Sequence, residues 1–518
     1  MDMFNYPILL SSAIIPLVIS IILPGIWKFT RNIKILASIS ALSLMYPLIV
    51  FTWILFSEIS RQPLLDPIYF NHPLIGKFSM LSDGISTPVA FGIALVTSLI
   101  AIYSIPYMKH RFEEMTHEGI TPPSWGTYYM LYTMFSAAMI GTVLSTNLIE
   151  FYIFFELTLI PSFLLIAFYG YGERMRIAIM YLLWTHIGAL TLLIGILVYG
   201  FNAGTFDVIN PETGMFNIGF AEKFLPSEWQ LPIFTLMTVG LLVKMAVFGV
   251  HIWLPYAHAE APTPLSALLS PNLIGIGAYA LIRIPYILFP SIFESVSIYL
   301  YAWAILTMIY GGLMALAQDD FKRFLAYSSI SQMGYLLLGI SSLTVLGITG
   351  SLIHYVAHAV GKAILFMSAG VLIAMLHGLR SISKMGGLAV KMPYTASLAL
   401  IGFMHITGIP PSLGLWSEVF IVLGAIDKVL HINSNALIVT VIGLLVAIGL
   451  STSYSFITMK RIFFGEISEK LKEESREGVL SLIIPMTIIA ATGILLFFLA
   501  NVFIEPTKAI LEFISAHK

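Results

Sequence analysis

The chain has 518 residues, of which 58% are hydrophobic and only 10% are charged. A soluble globular protein carries roughly 25% charged residues, so this composition excludes a soluble protein of this size. The balance of 26 basic and 27 acidic residues argues against a nucleic-acid partner, and the absence of cysteine excludes disulfides, thiolate metal sites and cysteine-ligated iron–sulfur clusters.

Long apolar stretches recur along the whole sequence and predict an all-α integral membrane protein. A helix needs roughly 20 mainly apolar residues to span the hydrocarbon core, because lipid offers no hydrogen-bond partner to an open backbone. The N-terminal stretch lacks the basic residues of a cleavable signal, so it is predicted as the first of about 14 transmembrane helices. Predicted helices 1 to 14 cover residues 7–27, 34–57, 86–107, 128–146, 148–170, 177–200, 232–255, 265–289, 294–317, 323–343, 345–376, 394–426, 434–459 and 479–503.

The basic residues give an independent test of this topology. Most of the 26 lysines and arginines follow odd-numbered predicted helices, including Arg111, Lys322 and Arg323. The positive-inside rule therefore predicts that both termini face outward. The sparse outward set consists of Arg61, Lys77, Lys223, Lys428, Lys508 and Lys518.

Three ionisable residues fall near the middle of apolar helices: Glu156, Lys244 and Lys362. A charge inside the membrane costs several kcal/mol, so each is a candidate functional group. One interpretation is that Glu156 and Lys244 form a structural ion pair that locks two helices. The alternative is a switch, in which a change of the distance between them makes Lys244 take up or release a proton.

Predicted helix 11 carries a row of polar side chains, because His354, His358 and Lys362 are spaced four residues apart. At a rise of 1.5 Å per residue they share one helix face over roughly 12 Å. With bridging water, such a row can pass protons. Two histidines at this spacing can also bind zinc, but no further ligand set accompanies them, and they can equally pack inside a bundle.

Glycine and proline interrupt two of the predicted helices. The segment HITGIPPSLGLWSEVF precedes Glu418, and GVHIWLPYAHAEAPTP follows Lys244. Each interruption predicts a broken helix, in predicted helices 7 and 12, whose open backbone lines an aqueous cavity. A broken helix beside a buried charge in two five-helix units fits an inverted internal repeat of a transporter.

We therefore predict a single polytopic membrane domain over residues 1–518. Its predicted parts are the N-terminal helices 1 to 3 in 1–127, a first five-helix repeat in 128–289, a second in 294–465, and the last helix with a short tail in 479–518.

Four segments resemble a known family, the antiporter-like subunits of respiratory complex I together with the related Mrp sodium/proton antiporters. They are LSDGIS around Asp83, FFELTLIPSFLLI around Glu156, KMAVFGVHIWLPYAHAEAPTPLSALL from Lys244, and ALAQDDFKRFLAYSSISQMGYLLLGI from Ala315. The resemblance extends over residues 80–465. The segment GLWSEVF and the short tail are most similar to chain M of NADH-quinone oxidoreductase.

The resemblance implies roles for individual residues. It makes Glu156 and Lys244 a coupled pair, the row His354, His358 and Lys362 the central connection, and Glu418 the terminal proton-carrying group. Secondary candidates are His251, His258, Asp83 and Asp319, the last two with solvent-side structural roles as the alternative. The sequence departs from chain M at Gly275, where that chain often has a lysine, so the path is expected to run through the histidine row.

The function implied by the resemblance is proton translocation in the membrane arm of a complex I-type NADH or related donor:quinone oxidoreductase. Such a translocase subunit carries no redox centre, cofactor or metal itself; iron–sulfur clusters, flavin and quinone are expected on partner subunits. Expected partners are chain L-, N- and K-type membrane subunits, a hydrophilic redox arm and lipid, in the plasma membrane of a prokaryote. The alternatives are an Mrp-type sodium/proton antiporter, a membrane-bound hydrogenase antiporter subunit, and a noncatalytic membrane scaffold.

Overall fold

Long helices form most of this protein, as the composition predicts. The structure, a computed structural model, describes residues 6–57, 62–430, 432 and 434–517. Arg61 and Lys518 of the predicted outward set lie outside the described residues. The first half contains helices α1 Ile8–Thr30, α2 Ile33–Phe56, α3 Ser86–His117, α4 Trp125–Leu144, α5 Leu148–Leu157, α6 Leu159–Tyr169, α7 Arg174–Ala203, α8 Phe220–Phe224, α9 Ser227–Met245, α10 Trp253–Glu260, α11 Thr263–Leu268, α12 Ile274–Arg283 and α13 Pro285–Leu288.

The second half of the chain also consists mainly of long helices. They are α14 Pro290–Leu316, α15 Phe321–Ser341, α16 Val345–Met375, α17 Pro393–Ile406, α18 Leu413–Leu430, α19 Ser434–Phe463, α20 Glu469–Glu474, α21 Leu480–Phe498 and α22 Asn501–Ala516. A π-helical turn, Leu269–Leu273, joins α11 to α12, and two short 3₁₀ turns, Ile382–Lys384 and Leu388–Val390, precede α17. Among the described residues, 10 helical segments are long and apolar enough to cross a membrane. The all-α membrane class is confirmed, and the count of about fourteen spans stays a prediction.

Both predicted helix breaks are present. Predicted helix 7 divides into α9 and α10, separated by residues 246–252, and Ala246 has a left-handed φ of 56°. Predicted helix 12 divides into α17 and α18, separated by residues 407–412, which include a cis Pro410–Pro411 bond. The glycine and proline pattern therefore located both interruptions correctly.

Helix α16 forms the centre of the molecule. It packs against α3, α11, α15, α17, α18 and α21, and nearly all of its length is buried. A helix that is buried on every side exposes none of its polar groups to lipid. The histidine row of the sequence therefore lies in the interior of the bundle.

Four short strands occupy the loop between α2 and α3: β1 Leu64–Leu65, β2 Phe70–His72, β3 Gly76–Phe78 and β4 Leu81–Ser82. Strand β1 pairs with β4 and β2 with β3, both antiparallel. Asp66, directly after β1, accepts a 2.7 Å hydrogen bond from the backbone N–H of Leu10. This loop therefore caps the start of α1 with a carboxylate.

The predicted tail is a helix, α22, rather than an irregular segment. Its charged side chains Glu505, Lys508 and Glu512 are exposed while Phe503 and Ile510 are buried, so the helix is amphipathic. A search for long apolar runs overlooks such a helix because half of its surface is polar. The Thr507 hydroxyl donates to the Gly84 carbonyl at 2.7 Å, which fixes α22 to the start of α3.

Candidate functional site

Glu156 lies in the last turn of α5 and forms a contact that the sequence analysis did not foresee. Its Oε2 is 2.9 Å from Nδ1 of His186 on α7. The side chains are 22% and 43% exposed, so this pair lies at the outer face of the bundle. The only sequence signal for His186 is a single ionisable residue in the middle of an apolar helix.

Lys244 is buried near the end of α9, and it does not form a direct ion pair with Glu156 in this structure. Its Nζ donates to the Thr158 hydroxyl at 3.2 Å and lies 4.7 Å from the centre of the Phe155 ring. The charge of Glu156 nevertheless acts on Lys244. Glu156 and Lys244 are therefore not in contact, although Lys244 lies within range of the charge of Glu156.

The break after Lys244 is braced by tryptophan side chains. The indole N–H groups of Trp253, Trp303 and Trp184 donate to the carbonyls of Val243, Phe248 and Val250 at 3.0, 2.8 and 3.0 Å. These bonds satisfy backbone acceptors that the interrupted helix leaves open. His251 lies in the same break, where its Nε2 is 3.1 Å from the Tyr310 hydroxyl.

His258 extends the polar interior from α10 towards α16. It is fully buried against the Phe366 ring, and neither ring nitrogen has a hydrogen-bond partner among the described residues. Lys322 and Lys362 both act on it electrostatically. The prediction that Lys322 is a cation outside the helices is wrong: it is 0% exposed and its Nζ donates to the Ala261 carbonyl. Its position at the end of a predicted helix gave no indication in the sequence that Lys322 is buried.

Lys362 is fully buried at the centre of α16. Its Nζ donates to the Ser328 hydroxyl and, at 3.1 Å, to the Leu325 carbonyl, both on α15. Two neutral oxygens therefore hold the group, and its charge is not cancelled by a carboxylate in contact. Such a lysine can give up its proton to a neighbouring base without breaking an ion pair.

The two histidines continue the row along α16, as their spacing predicts. The ring centres of His354 and His358 are 6.5 Å apart, and the charge of Lys362 acts on His358. Neither nitrogen of His358 has a hydrogen-bond partner among the described residues, and Nε2 of His354 has none either. His354 Nδ1 is 3.0 Å from the hydroxyl of Ser417 on α18. The row therefore contains open proton acceptors and ends on the second broken helix.

Glu418 follows Ser417 and lies against the second break. It is 8% exposed, and its Oε1 is buried with no hydrogen-bond partner among the described residues. A Cβ on Gly408 in the break would be 2.6 Å from Glu418 Oε2, so a larger residue there would displace the carboxyl group. Glu418 also acts electrostatically on Tyr335 and Tyr454. An unpaired buried carboxyl group is poised to exchange a proton or to meet a charge.

Gly275, the departure from chain M, lies in α12 under the ring of Tyr355. A Cβ at this glycine would collide with that ring. The Tyr355 hydroxyl donates to the Asn272 carbonyl at 3.1 Å, within the π-helical turn. Tyr355 thus fills the space that a lysine on α12 would need, which agrees with a path through α16.

Asp83 and Asp319 have structural partners. Asp83 is buried, so the solvent-side alternative is wrong for this residue; it forms a bidentate ion pair of 2.9 and 2.7 Å with Arg283. Asp319 is exposed at the start of α15, where it accepts from the Ser381 hydroxyl at 2.5 Å and the Ser383 N–H at 2.8 Å. Among the described residues, no group of three His, Cys, Asp or Glu side chains is arranged to hold a metal ion.

Comparisons with known proteins extend over most of the chain. The profile of the family described as NADH:quinone oxidoreductase/Mrp antiporter, TM matches residues 145–448. F(420)H(2) dehydrogenase subunit M of Methanosarcina mazei is 32% identical over 409 residues, which cover 77% of this chain and 76% of that protein. The fold matches a chain of respiratory complex I from Thermus thermophilus, solved with bound NADH, with a TM-score of 0.79, 22% identity and coverage of 98% and 99% of the two chains. It also matches a chain of the Mrp complex from Dietzia sp. DQ12-45-1b with a TM-score of 0.79, 19% identity and coverage of 97% and 96%.

The fold and the site define a multi-pass helical membrane protein with two broken helices and a row of ionisable side chains in its interior. Within that class, the chain belongs to the NADH:quinone oxidoreductase/Mrp antiporter transmembrane family. The resemblance inferred from the sequence is confirmed.

Proposed function

We propose that this chain is a chain M-like proton-translocating subunit in the membrane arm of a complex I-type donor:quinone oxidoreductase. The observation that carries the proposal is the interior row of Lys362, His358 and His354 on α16, which meets Ser417 and Glu418 on α18. Each of these ionisable groups is costly to bury, which favours a functional role for the row over a structural one.

In the proposed mechanism, Lys362 is the central proton donor and the histidines relay its proton. His358 receives the proton, and water bridges the gap between His358 and His354. The His354 ring can then take up a proton at its unpartnered Nε2 and release one from Nδ1, which contacts Ser417. Glu418 accepts the proton at the second break. Each transfer stays between neighbouring groups, so no step carries an isolated charge through apolar packing.

Glu156 and Lys244 are proposed to time this relay. Movement of the Glu156 carboxylate towards Lys244 stabilises the protonated amine, and movement away from it favours proton release. Because the partners of Lys244 among the described residues are a neutral hydroxyl and an aromatic ring, its charge state is free to respond.

The partners proposed for this chain are neighbouring membrane subunits of chain L, N and K type and a hydrophilic redox arm. The outer face around Glu156 and His186 supports such a neighbour, since it is otherwise formed by exposed Ile153, Leu183 and Ile187. A polar pair among exposed apolar side chains is costly against acyl chains, so another protein surface is expected to cover it. Flavin, iron–sulfur clusters and quinone are assigned to those partners, and NADH or the reduced F420 named in the Methanosarcina relative are the candidate donors. We place the assembly in a prokaryotic plasma membrane with both termini outward.

The proposal is tested with Lys362→Met in the native assembly, reconstituted into liposomes. Donor-driven quinone reduction and proton uptake are measured on the same preparation. We expect electron transfer to continue while proton movement per electron falls at least tenfold, because methionine keeps the shape of lysine but carries no proton. Lys384→Met, an exposed lysine, is the control and should behave as the wild type. Normal pumping by Lys362→Met would remove the row from the mechanism.

Mass spectrometry of the assembly purified in mild detergent decides between the two branches of the family. Copurification of flavin and iron–sulfur subunits supports the redox pump. Small antiporter subunits without redox partners, together with sodium-driven proton exchange in the absence of a donor, support the Mrp-type alternative. Unchanged transport after neutralisation of Lys244 and of Glu418 in separate variants would support the scaffold instead.

A further inference from the structure

Glu156 has two possible cationic partners, and the structure pairs it with the one that the mechanism above does not use. Its Oε2 is 2.9 Å from His186 Nδ1, whereas Lys244 is held by Thr158 and Phe155. The sequence pattern of a coupled carboxylate and lysine does not require a third group. His186 is therefore an unassigned ionisable residue in direct contact with the residue that controls Lys244.

The end of α5 connects the two partners mechanically. Glu156 lies in the last turn of α5, and Thr158, which accepts from Lys244, is the residue between α5 and α6. A shift of this junction alters the positions of Glu156 and of the Lys244 partner together. Lys244 is also close to α7, because its neighbour Val243 packs against Gly188, two residues after His186.

We propose that His186 is a positioning residue that holds the Glu156 carboxylate away from Lys244 and releases it, so that Glu156 alternates between the two cations. This inference rests on the proposed function. The protonated imidazole binds the carboxylate by a charge-assisted hydrogen bond, and transfer of its proton to an acceptor on the neighbouring subunit proposed to cover this face weakens that hold. Glu156 then turns to Lys244 and stabilises its protonated form.

Of the titratable groups that face Glu156, His186 is the one that can hold its carboxylate away from Lys244. The titratable side chains that act on it or respond to it are Tyr152 on its own helix, Tyr181 and His186 on α7, and Lys244 on α9. Tyr181 is bonded to the Ser162 hydroxyl at 2.8 Å, so its oxygen is already engaged. Neither tyrosine can supply a positive charge.

The test uses His186→Leu and His186→Asn in the complete assembly in liposomes, with proton movement per electron measured across a pH series. Leucine removes the partner, and we expect proton movement per electron to fall roughly tenfold, as for loss of a hydrogen bond to a charged group. Asparagine keeps a donor near the Nδ1 position but cannot titrate, so we expect assembly to be preserved and the pH dependence of pumping to flatten. Thr191→Val on the same helix is the control, because among the described residues its hydroxyl bonds to the Ile187 carbonyl of α7 alone.

A double-mutant comparison separates this inference from the function on which it rests. In a Glu156→Gln background, His186→Leu should have no further effect, since the two residues act through one contact. If Glu156→Gln itself pumps normally, Glu156 has no part in the mechanism and the positioning role fails with it, whereas the proposed function stands or falls with Lys362→Met. If Glu156→Gln is defective while both His186 variants keep the wild-type ratio and pH profile, the positioning role alone is wrong. If His186→Leu does not assemble, an unchanged pH profile in His186→Asn overturns the role by itself.

Discussion

His354 Nδ1 and the Ser417 hydroxyl oxygen lie 3.0 Å apart, and this contact joins the central helix to the second broken helix. The histidine row on α16 would otherwise end at an apolar helix surface. Because Ser417 directly precedes Glu418, a change in the protonation of His354 is transmitted to the helix that carries the terminal carboxyl group. The hydroxyl is thus the link between relay and exit.

Ser417→Ala should slow proton movement about fivefold without slowing quinone reduction, because removal of a neutral hydrogen bond costs about 1 kcal/mol. Pumping and electron transfer are measured together in liposomes. Ser368→Ala on α16 is a matched control, since the bond of this buried hydroxyl within the described part of the chain stays in its own helix, at Ile364. Equal pumping rates in the two variants would show that the contact between Ser417 and His354 does not contribute to proton movement.

Gly408→Ala should displace the Glu418 carboxyl group and reduce pumping strongly. The added Cβ would lie 2.6 Å from Oε2, and the φ of 63° adds strain of about 1–2 kcal/mol for any L side chain. Gly204→Ala separates the two effects, because its φ is 69° but no described residue lies within 4 Å of the added Cβ. We expect both variants to lose thermal stability and only Gly408→Ala to lose proton movement per electron.

The Asp83–Arg283 pair predicts a stability pattern. Asp83→Asn or Arg283→Gln leaves one buried charge uncompensated, which typically costs about 3–5 kcal/mol. The double variant should recover much of that loss, because no net charge remains. Thermal unfolding of the purified assembly measures the effect. A double variant as unstable as the sum of the single variants would contradict a compensating pair.

The Asp66 cap at the start of α1 predicts a pH dependence. Burial raises the pKa of Asp66 from an ordinary value of 3.8 to about 6, although backbone N–H groups of α1 oppose the shift. The folded protein therefore binds this proton more tightly than the unfolded chain, so the contribution of Asp66 to stability falls as the pH rises from about 4 through about 6.

Asp66→Asn should remove that slope. The amide oxygen can still accept from the Leu10 N–H, so the cap remains while the titration is lost. Thermal midpoints of wild type and variant at pH values below and above this range give the measurement, with exposed Asp427→Asn as the control. A wild-type midpoint that falls no more steeply with pH than that of Asp66→Asn would exclude the effect.

Much of the fold could be predicted from local sequence features. Apolar runs gave most of the long helices, and glycine and proline gave the breaks beside Lys244 and Glu418, because lipid and backbone geometry constrain both locally. The row from His354 to Lys362 followed from the four-residue spacing of one helix. By contrast, α22 was missed because an amphipathic helix has no apolar run.

The tertiary partners could not be predicted in this way. The contact between Asp83 and Arg283 joins residues that are 200 positions apart, and the contact between Glu156 and His186 depends on how α5 packs against α7. Lys322 has the same local sequence pattern as an exposed loop cation, and its burial follows from the position of α10. Helical periodicity states which face a residue lies on, but not which helix will cover that face.

The three tryptophans that brace the first helix break make it visible in ordinary fluorescence. Trp184, Trp253 and Trp303 are three of the eight tryptophans in the chain, and their indoles bind carbonyls in this break or in the last turn of α9 before it. Indole emission moves to longer wavelength when water reaches the ring. A rearrangement during turnover that exposes the segment beside Lys244 to water should therefore shift the emission wavelength of the unlabelled protein. The chain thus carries an intrinsic fluorescent reporter next to the lysine whose charge is proposed to change.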